Sequence, residues 1–399
     1  MLSYQHLSPV LLIAFLLTSC SGLDGKPQKT AIALPDPPPS GILLEELPPG
    51  ADLIISSIRH VITQPACRGD DGKLQENFIL DRECSQLIYD QQGGLAASRQ
   101  LFALDIDSGE VDQLTNTDCL YLSGQALDER TLMVDAICED TNSDGVISDG
   151  DDPQLYLLDL SSGEMDCLTC GLGLKAINNP DFSPIQDKIV FSAQIDPVFH
   201  NYLFTVDLNR QLQQLTREEE FMDFDCAWSE DGTLIVFNRL PAPWLERPSQ
   251  VWLMSADGSR LTKLTAGGSN PRAEGPQRGF PIGTDADPDL SPDNSQVVFS
   301  RLRTGAENAP FGIWELVVLG IATGVETVLD SSYANMVPEW KEGGIVFTRQ
   351  IGGSDPMEIV QALYLYQEGS FLALESYPYN VFPLGAFGGS WIRHKGSAK

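Results

Sequence analysis

Basic residues are scarce in this chain: 25 Lys and Arg stand against 56 Asp and Glu, a formal net charge of −31 over 399 residues. A surface of that sign repels phosphate backbones and anionic headgroups, which excludes nucleic acid as a partner. It suits basic protein surfaces or divalent cations, and part of it simply confers solubility. Histidine is scarcer still, with His60, His200 and His394 the residues beyond the leader region. HExxH, a phosphate-cradling glycine loop and the GxSxG elbow are all missing. The sequence therefore predicts no catalytic residues and favours a binding role over an enzymatic one. Sustained helical periodicity is lacking too, and the apolar run Val10 to Leu17 is too short to span a bilayer.

What the chain does have is repetition. Asn179 to Ala193 reads NPDFSPIQDKIVFSA: a Pro, an acidic or small residue, an apolar residue and a Ser-Pro turn lead into a run of Ile, Val and Phe. That is a strand, a tight turn and a second strand. Phe224 to Asn238, Ala286 to Ser300 and Met336 to Arg349 repeat it. A third strand follows each after a variable gap, as in Tyr202 to Asp207, Gln250 to Ala256 and Phe311 to Leu316. A fourth closes on Leu-Thr at Leu114-Thr115, Leu168-Thr169, Leu215-Thr216 and Leu264-Thr265. Four short strands recurring at roughly 45 to 60 residues predict a β-propeller.

The fold class expected is all-β, a six-bladed propeller of four-stranded antiparallel blades over 51–399. Five or seven blades are the alternatives, because the first and last units are the most degenerate. Asp52 to Thr63 reads as the second strand of a unit whose first strand is missing, and Asn380 to Ile392 supplies it from the far end. Such an exchange closes the ring and removes two open sheet edges. The stretches Pro180 to Ser192, Trp228 to Phe237 and Pro288 to Ser300 resemble the repeats of TolB-type propellers, which also occur in the non-catalytic half of prolyl oligopeptidases. The resemblance covers about Ala51 to Ile392 and implies the fold more than a function. It departs from TolB in showing no α/β domain ahead of the repeats.

Before the repeats, 1–19 reads as a lipoprotein signal peptide, and Leu17-Thr18-Ser19-Cys20 resembles the bacterial lipobox, making Cys20 the lipidation site. Ser21 after it implies outer-membrane sorting in a Gram-negative host, facing the periplasm or the surface. The segment 20–50, with Pro35, Pro37, Pro38, Pro39, Pro48 and Pro49, reads as a tether.

In a four-stranded blade the loops between strands two and three share a face with the blade-to-blade links. The long insertions Gln64 to Ser98, Cys138 to Pro153, Leu240 to Ser249, Arg303 to Pro310 and Gly352 to Val360 all fall there, an elaborated face of the kind that binds partners. One of them carries DTNSDGVISDGD, Asp140 to Asp151. Calcium requires six or more oxygens from a chain that doubles back, and the EF-hand places them at loop positions one, three, five, seven, nine and twelve with Gly at six. Here those are Asp140, Asn142, Asp144, the carbonyl of Val146, Ser148 and Asp151, with Gly145 at six. The flanks read as strands, so the expected role is a structural clamp, with an acidic solvated turn as the plain alternative.

Cysteine fits an exported chain. Cys67 and Cys84 bracket the first long loop, Cys119 and Cys138 fall at one end of neighbouring strands, and Cys167 and Cys170 form a CxxC, either a local disulfide or part of a cross-pairing. Cys226 stands where other repeats have Pro and is expected to be a buried thiol. Together these predict a lipid-anchored, calcium-stabilised envelope scaffold that binds a protein partner through its loop-rich face. The alternatives are a carbohydrate-binding or polysaccharide-lyase-like propeller, for which Trp244 and Phe311 could supply an aromatic platform, and a regulatory propeller for a separate peptidase.

Overall fold

A computed structural model describes residues 44–58, 60–62, 85–87, 99–145, 147–148, 150–183, 185–195, 198–241, 247–267, 281–304, 312–351, 360–374 and 387–392. The expectations for the leader, Cys20, Cys67, Cys84, Val146, Trp244 and Phe311 lie outside these residues. Every regular element among the described residues is a strand.

The first sheet runs in the order β26 (Phe387–Trp391), β1 (Leu53–Ile58), β4 (Arg99–Leu104), β5 (Val111–Gln113), so the end of the chain supplies its leading strand, with Leu53 opposite Trp391. The second is β6 (Leu120–Ala126), β7 (Thr131–Ile137), β8 (Gln154–Asp159), β9 (Met165–Cys167). The third is β10 (Leu174–Ser183), β11 (Lys188–Ile195), β12 (Val198–Asp207), β13 (Leu212–Gln214). The fourth is β14 (Phe221–Trp228), β15 (Leu234–Pro241), β16 (Gln250–Ser255), β17 (Thr262–Lys263). All four are antiparallel and four-stranded, and the second, third and fourth are simple meanders.

The remaining strands form one eight-stranded sheet rather than two separate blades. Its halves are β18 (Asp285–Leu290), β19 (Gln296–Thr304), β20 (Ile313–Gly320), β21 (Glu326–Asp330), and β22 (Ala334–Lys341), β23 (Gly344–Ile351), β24 (Val360–Gln367), β25 (Ser370–Ala373). A single parallel pairing, Trp314 opposite Ala334, joins them. A small hairpin of β2 (His60–Ile62) and β3 (Ser85–Leu87), unanticipated from the sequence, rises from the first long loop.

The core lies between sheets. Ile54 and Leu101 of the first pack with Tyr121 and Leu132 of the second. Met133 and Leu155 meet Ile189 and Phe191 of the third, whose Val190 and Leu203 meet Trp228 and Phe237 of the fourth. The contact continues through Val236 with Val297 and Val298 with Phe347, and returns through Val346 and Leu363 to Leu53 and Ile55. Strands buried on both faces read as unbroken apolar runs, which is why IVF and VVF mark the second strand of each repeat. Upstream of Ala51, Leu44 and Leu47 join the first of these clusters, and the Leu47 amide donates to the Glu129 carbonyl at 2.8 Å.

The Leu-Thr signature closes the outer edge of each four-stranded sheet. The Thr115, Thr169, Thr216 and Thr265 hydroxyls accept the amides of Leu101, Leu155, Leu203 and Val251 at 2.9, 3.0, 2.9 and 2.9 Å. The preceding leucine amide donates to the carbonyl of the same third-strand residue, at 2.8 to 2.9 Å. A third-strand amide is thus satisfied by a side chain just beyond the point where pairing with the fourth strand ends.

Candidate functional site

The leading strands of the sheets converge, and each of β10, β14, β18 and β22 carries the same bulge. In it Asn179, Asp225, Asp287 and Val337 adopt φ of 48°, 48°, 50° and 51°. Asn and Asp tolerate the left-handed region, whereas β-branched Val337 is strained there. Pro180, Cys226, Pro288 and Pro338 come next, then Asp181, Ala227, Asp289 and Glu339.

These acids stitch one sheet to the next. Asp181 accepts the Trp228 amide at 2.6 Å, Asp289 the Trp340 amide at 2.6 Å, and Glu339 the Trp391 amide at 3.2 Å. In the second sheet Gln125 does the same with the Phe182 amide, at 2.7 Å, and its amide nitrogen donates to Asp181 at 3.0 Å. Beside them Asp287 accepts the Val337 amide at 3.2 Å, and Asn238 donates to Asp225 at 2.8 Å.

The same residues line a cavity of about 170 Å³ between the leading strands, with Ser56, Ser123 and Gly389 on its first- and second-sheet side. Its charge is lopsided. Lys341 donates to Asp289 at 3.0 Å and lies 4.0 Å from Glu339. Burial opposes the Lys341 charge, but Asp289, Glu339 and Asp181 outweigh it and hold the ammonium above the usual lysine range. Burial raises the carboxyl of Glu339 to about 8, that of Asp225 to about 6, and that of Asp289 above its ordinary value. Asp287 is raised well above, by burial and then by the neighbouring Asp225 charge. Desolvation disfavours a bare carboxylate, so these groups hold a proton more tightly than exposed carboxyls do.

The acidic loop lies between β7 and β8. It doubles back as the sequence requires: the Asp140 carboxylate accepts the amides of Asp144 and Gly145 at 3.1 and 2.8 Å, and Asn142 Oδ1 accepts the Asp144 amide at 2.8 Å. Asp151, 5% exposed, accepts the amides of Thr141, Asn142 and Ser148 at 2.8, 3.0 and 2.9 Å. Gly145 sits at φ 90°, where a side chain would be strained. The oxygen-only set suits calcium in kind. Among the described residues, however, no three His, Cys, Asp or Glu converge as a metal cluster, and the carboxylates are turned to the loop's own amides. Disulfides Cys119–Cys138 and Cys167–Cys170 lie at the same end of this sheet.

Comparison with solved structures places this arrangement. TolB from Acinetobacter baumannii superposes with a TM-score of 0.53 and 16% identity, over 88% of this chain and 68% of its own. A putative TolB from Agrobacterium tumefaciens gives 0.51 and 15%, over 73% of this chain and 97% of its own. The fold is a TolB-like β-propeller. No family model matches the chain, and no curated protein matches it. Identities this low carry the propeller's architecture and nothing of ligand or partner.

Of the propeller's predicted site residues, the structure brings Asp140, Asn142, Asp144, Ser148 and Asp151 into one loop. It pairs Cys119 with Cys138 and Cys167 with Cys170, and leaves Cys226 as a buried thiol, 5% exposed. Burial, then the Asp181 and Asp225 charges, raise that thiol well above its usual range, so it is an inert packing group. Sequence reasoning missed the axial cavity. Its signal was present in the acid that follows the repeat Pro, at Asp181, Asp289 and Glu339, which reads as turn chemistry until its partner 47 to 52 residues on is known.

Proposed function

We propose that the chain is a six-bladed propeller scaffold of the bacterial cell envelope, tethered by a lipid on Cys20, stabilised by calcium at 140–151, and docking a protein partner on its loop-rich face. The blade count treats the two halves of the eight-stranded sheet as one blade each, since only the Trp314 to Ala334 pairing joins them. The observation that carries the partner reading is topological: β1, β7, β15, β19 and β23 are each the second strand of their unit, and the long connections leave from their ends. Those strand ends share the face of the blade-to-blade links, while the opposite face has short turns such as Ser229–Leu234 and Ser255–Ser259. A plain rigid ring with one elaborated face is suited to recognition rather than to chemistry. TolB proteins share the architecture, which supports an envelope setting.

Photo-crosslinking residues placed in cells at Asp118 and Glu219, on the link face, should trap a discrete adduct, and the same residues at Ser162 and Asp257 on the turn face should not. Adducts from both faces alike, or from neither, would remove the scaffold reading. Replacing Cys20 by Ala should move the chain from the membrane to the soluble fraction. Calcium should raise Tm relative to chelator in the native chain but not in an Asp140→Ala, Asp144→Ala variant.

A further inference from the structure

The axial cavity is divided by charge. On one side Lys341 neutralises Asp289 and Glu339, with Asp181 close enough to act on it. On the other, Asn179, Asp225 and Asp287 occupy the same bulge position on β10, β14 and β18, and no lysine, arginine or histidine lines their part of the cavity among the described residues. The Oδ1 atoms of all three are buried and have no hydrogen-bond partner among the described residues. Asp225 is 3% exposed, and its second oxygen is already taken by Asn238. Asp287 uses its second oxygen on the Val337 amide. Three buried acceptors without a protein donor, carried by residues that line one cavity, leave hydrogen-bonding capacity for a ligand's donors.

We propose that this half of the cavity binds one primary ammonium group, presented by a small amine or by a lysine side chain, through the Oδ1 atoms of Asn179, Asp225 and Asp287. An ammonium offers three N–H donors and no acceptor, matching three acceptors that lack donors. The chain itself provides the precedent: across the cavity the Lys341 ammonium sits among carboxyl groups, 3.0 Å from Asp289. The elevated carboxyls of Asp225 and Asp287 then become part of the recognition, because a cation favours their ionised form and the proton held there passes to solvent on binding. Affinity should rise as pH rises from 5 toward 8, by up to about tenfold per unit where one proton is released.

Calorimetry and thermal melts on the full chain test this with methylammonium, a lysine-containing pentapeptide, tetramethylammonium and calcium chloride. Methylammonium should bind, raise Tm, and release heat that differs between phosphate and HEPES buffers in proportion to the proton expelled. Tetramethylammonium, with equal charge and no N–H, should do none of these. A peptide that binds at least tenfold more tightly than methylammonium identifies a partner's lysine as the source, and the reverse order identifies a free amine. Asp287→Asn should abolish the response while retaining the native circular dichroism. Should that variant not fold, Asn179→Gly, which tolerates the positive φ and removes one acceptor, should weaken methylammonium binding by about tenfold. No response to methylammonium at concentrations on the order of tens of millimolar, an equal response to tetramethylammonium, or a response to calcium alone that Asp287→Asn removes would each overturn the assignment.

Discussion

The second sheet and the fourth secure the same corner with different chemistry. Where the leading strand meets its neighbour just outside the bulge, the second sheet sets Tyr121 opposite Ala136 and, two pairs further out, bridges Cys119 to Cys138. The fourth sets Asp223 opposite Arg239, and the halves of the eight-stranded sheet set Asp285 opposite Arg301 and Asn335 opposite Arg349. Arg239 is 2% exposed, pairs with Asp223 at 2.7 Å, and lies 4.7 Å from the Phe221 ring and 5.2 Å from that of Trp252. Arg349 bonds Asn335 at 3.0 Å and Asp330 at 2.5 Å and stacks 4.2 Å from Tyr364. A covalent link holds whatever the solvent, whereas a buried ion pair holds only while both partners are present.

The ionic corner should therefore break most severely. Arg239→Met keeps the bulk but strands Asp223, which is 1% exposed, and should cost about 3 to 5 kcal/mol in urea unfolding. Adding Asp223→Leu should recover much of that loss, because the penalty is the unpaired charge rather than the missing attraction. If the double variant is as unstable as the single, the corner depends on the guanidinium's stacking instead.

The covalent corner comes next. Replacing Cys119 and Cys138 by Ser opens a loop whose ends are 19 residues apart, worth about 3 kcal/mol by chain entropy. Opening Cys167–Cys170, whose separation is 3, should cost far less. Equal losses from the two bridges would show that strain or packing, not loop closure, sets their value.

How much of this contrast the sequence showed depends on the reach of each contact. Repeats, turns and the Leu-Thr closure were legible because their partners lie within one unit, as were Cys119 with Cys138 and the strands flanking the acidic loop. The exchange of the last strand was legible because a unit lacked its first. The arginine corner was not read, although Arg239, Arg301 and Arg349 follow the second-strand signature each time; only burial distinguishes them from ordinary charged surface. The axial cavity was illegible for a different reason, since it exists only where leading strands from separate units face each other. The merging of the last two units through Trp314 and Ala334 is a matter of local approach that repeat counting does not report.

Moving one pair inward, the comparison reverses. The fourth sheet has Asn238, bonded to Asp225, where the second has Asp135, whose Oδ1 is buried without a partner among the described residues. Burial raises the Asp135 carboxyl to about 8. The folded chain thus holds a proton there that the unfolded chain releases near pH 4, so this contribution to stability is full below about pH 4 and is lost as pH rises through about 8. Tm should fall between pH 5.5 and 9, and Asp135→Asn, which installs the fourth sheet's residue, should flatten that fall by a few degrees. A variant with the same pH slope as the native chain would assign the slope to Glu339 and the axial carboxyls instead.

The smallest effect belongs to the outer edge, where the four four-stranded sheets use one threonine device and differ in how many bonds its hydroxyl makes. Thr265 accepts the Val251 amide at 2.9 Å and donates to Asp285 at 2.5 Å, so Thr265→Val loses two bonds, one to a buried carboxylate already engaged by Arg301. Thr115, in the first sheet, accepts the Leu101 amide at 2.9 Å, and Thr115→Val should cost about 1 kcal/mol, the value of one neutral bond with its donor left buried. Thr265→Val should cost roughly twice as much, since charge-assisted bonds are about twice as strong. Equal costs in the two variants would mean that the Asp285 carboxylate takes its support from Arg301 alone, and that the edge threonine and the arginine corner act independently.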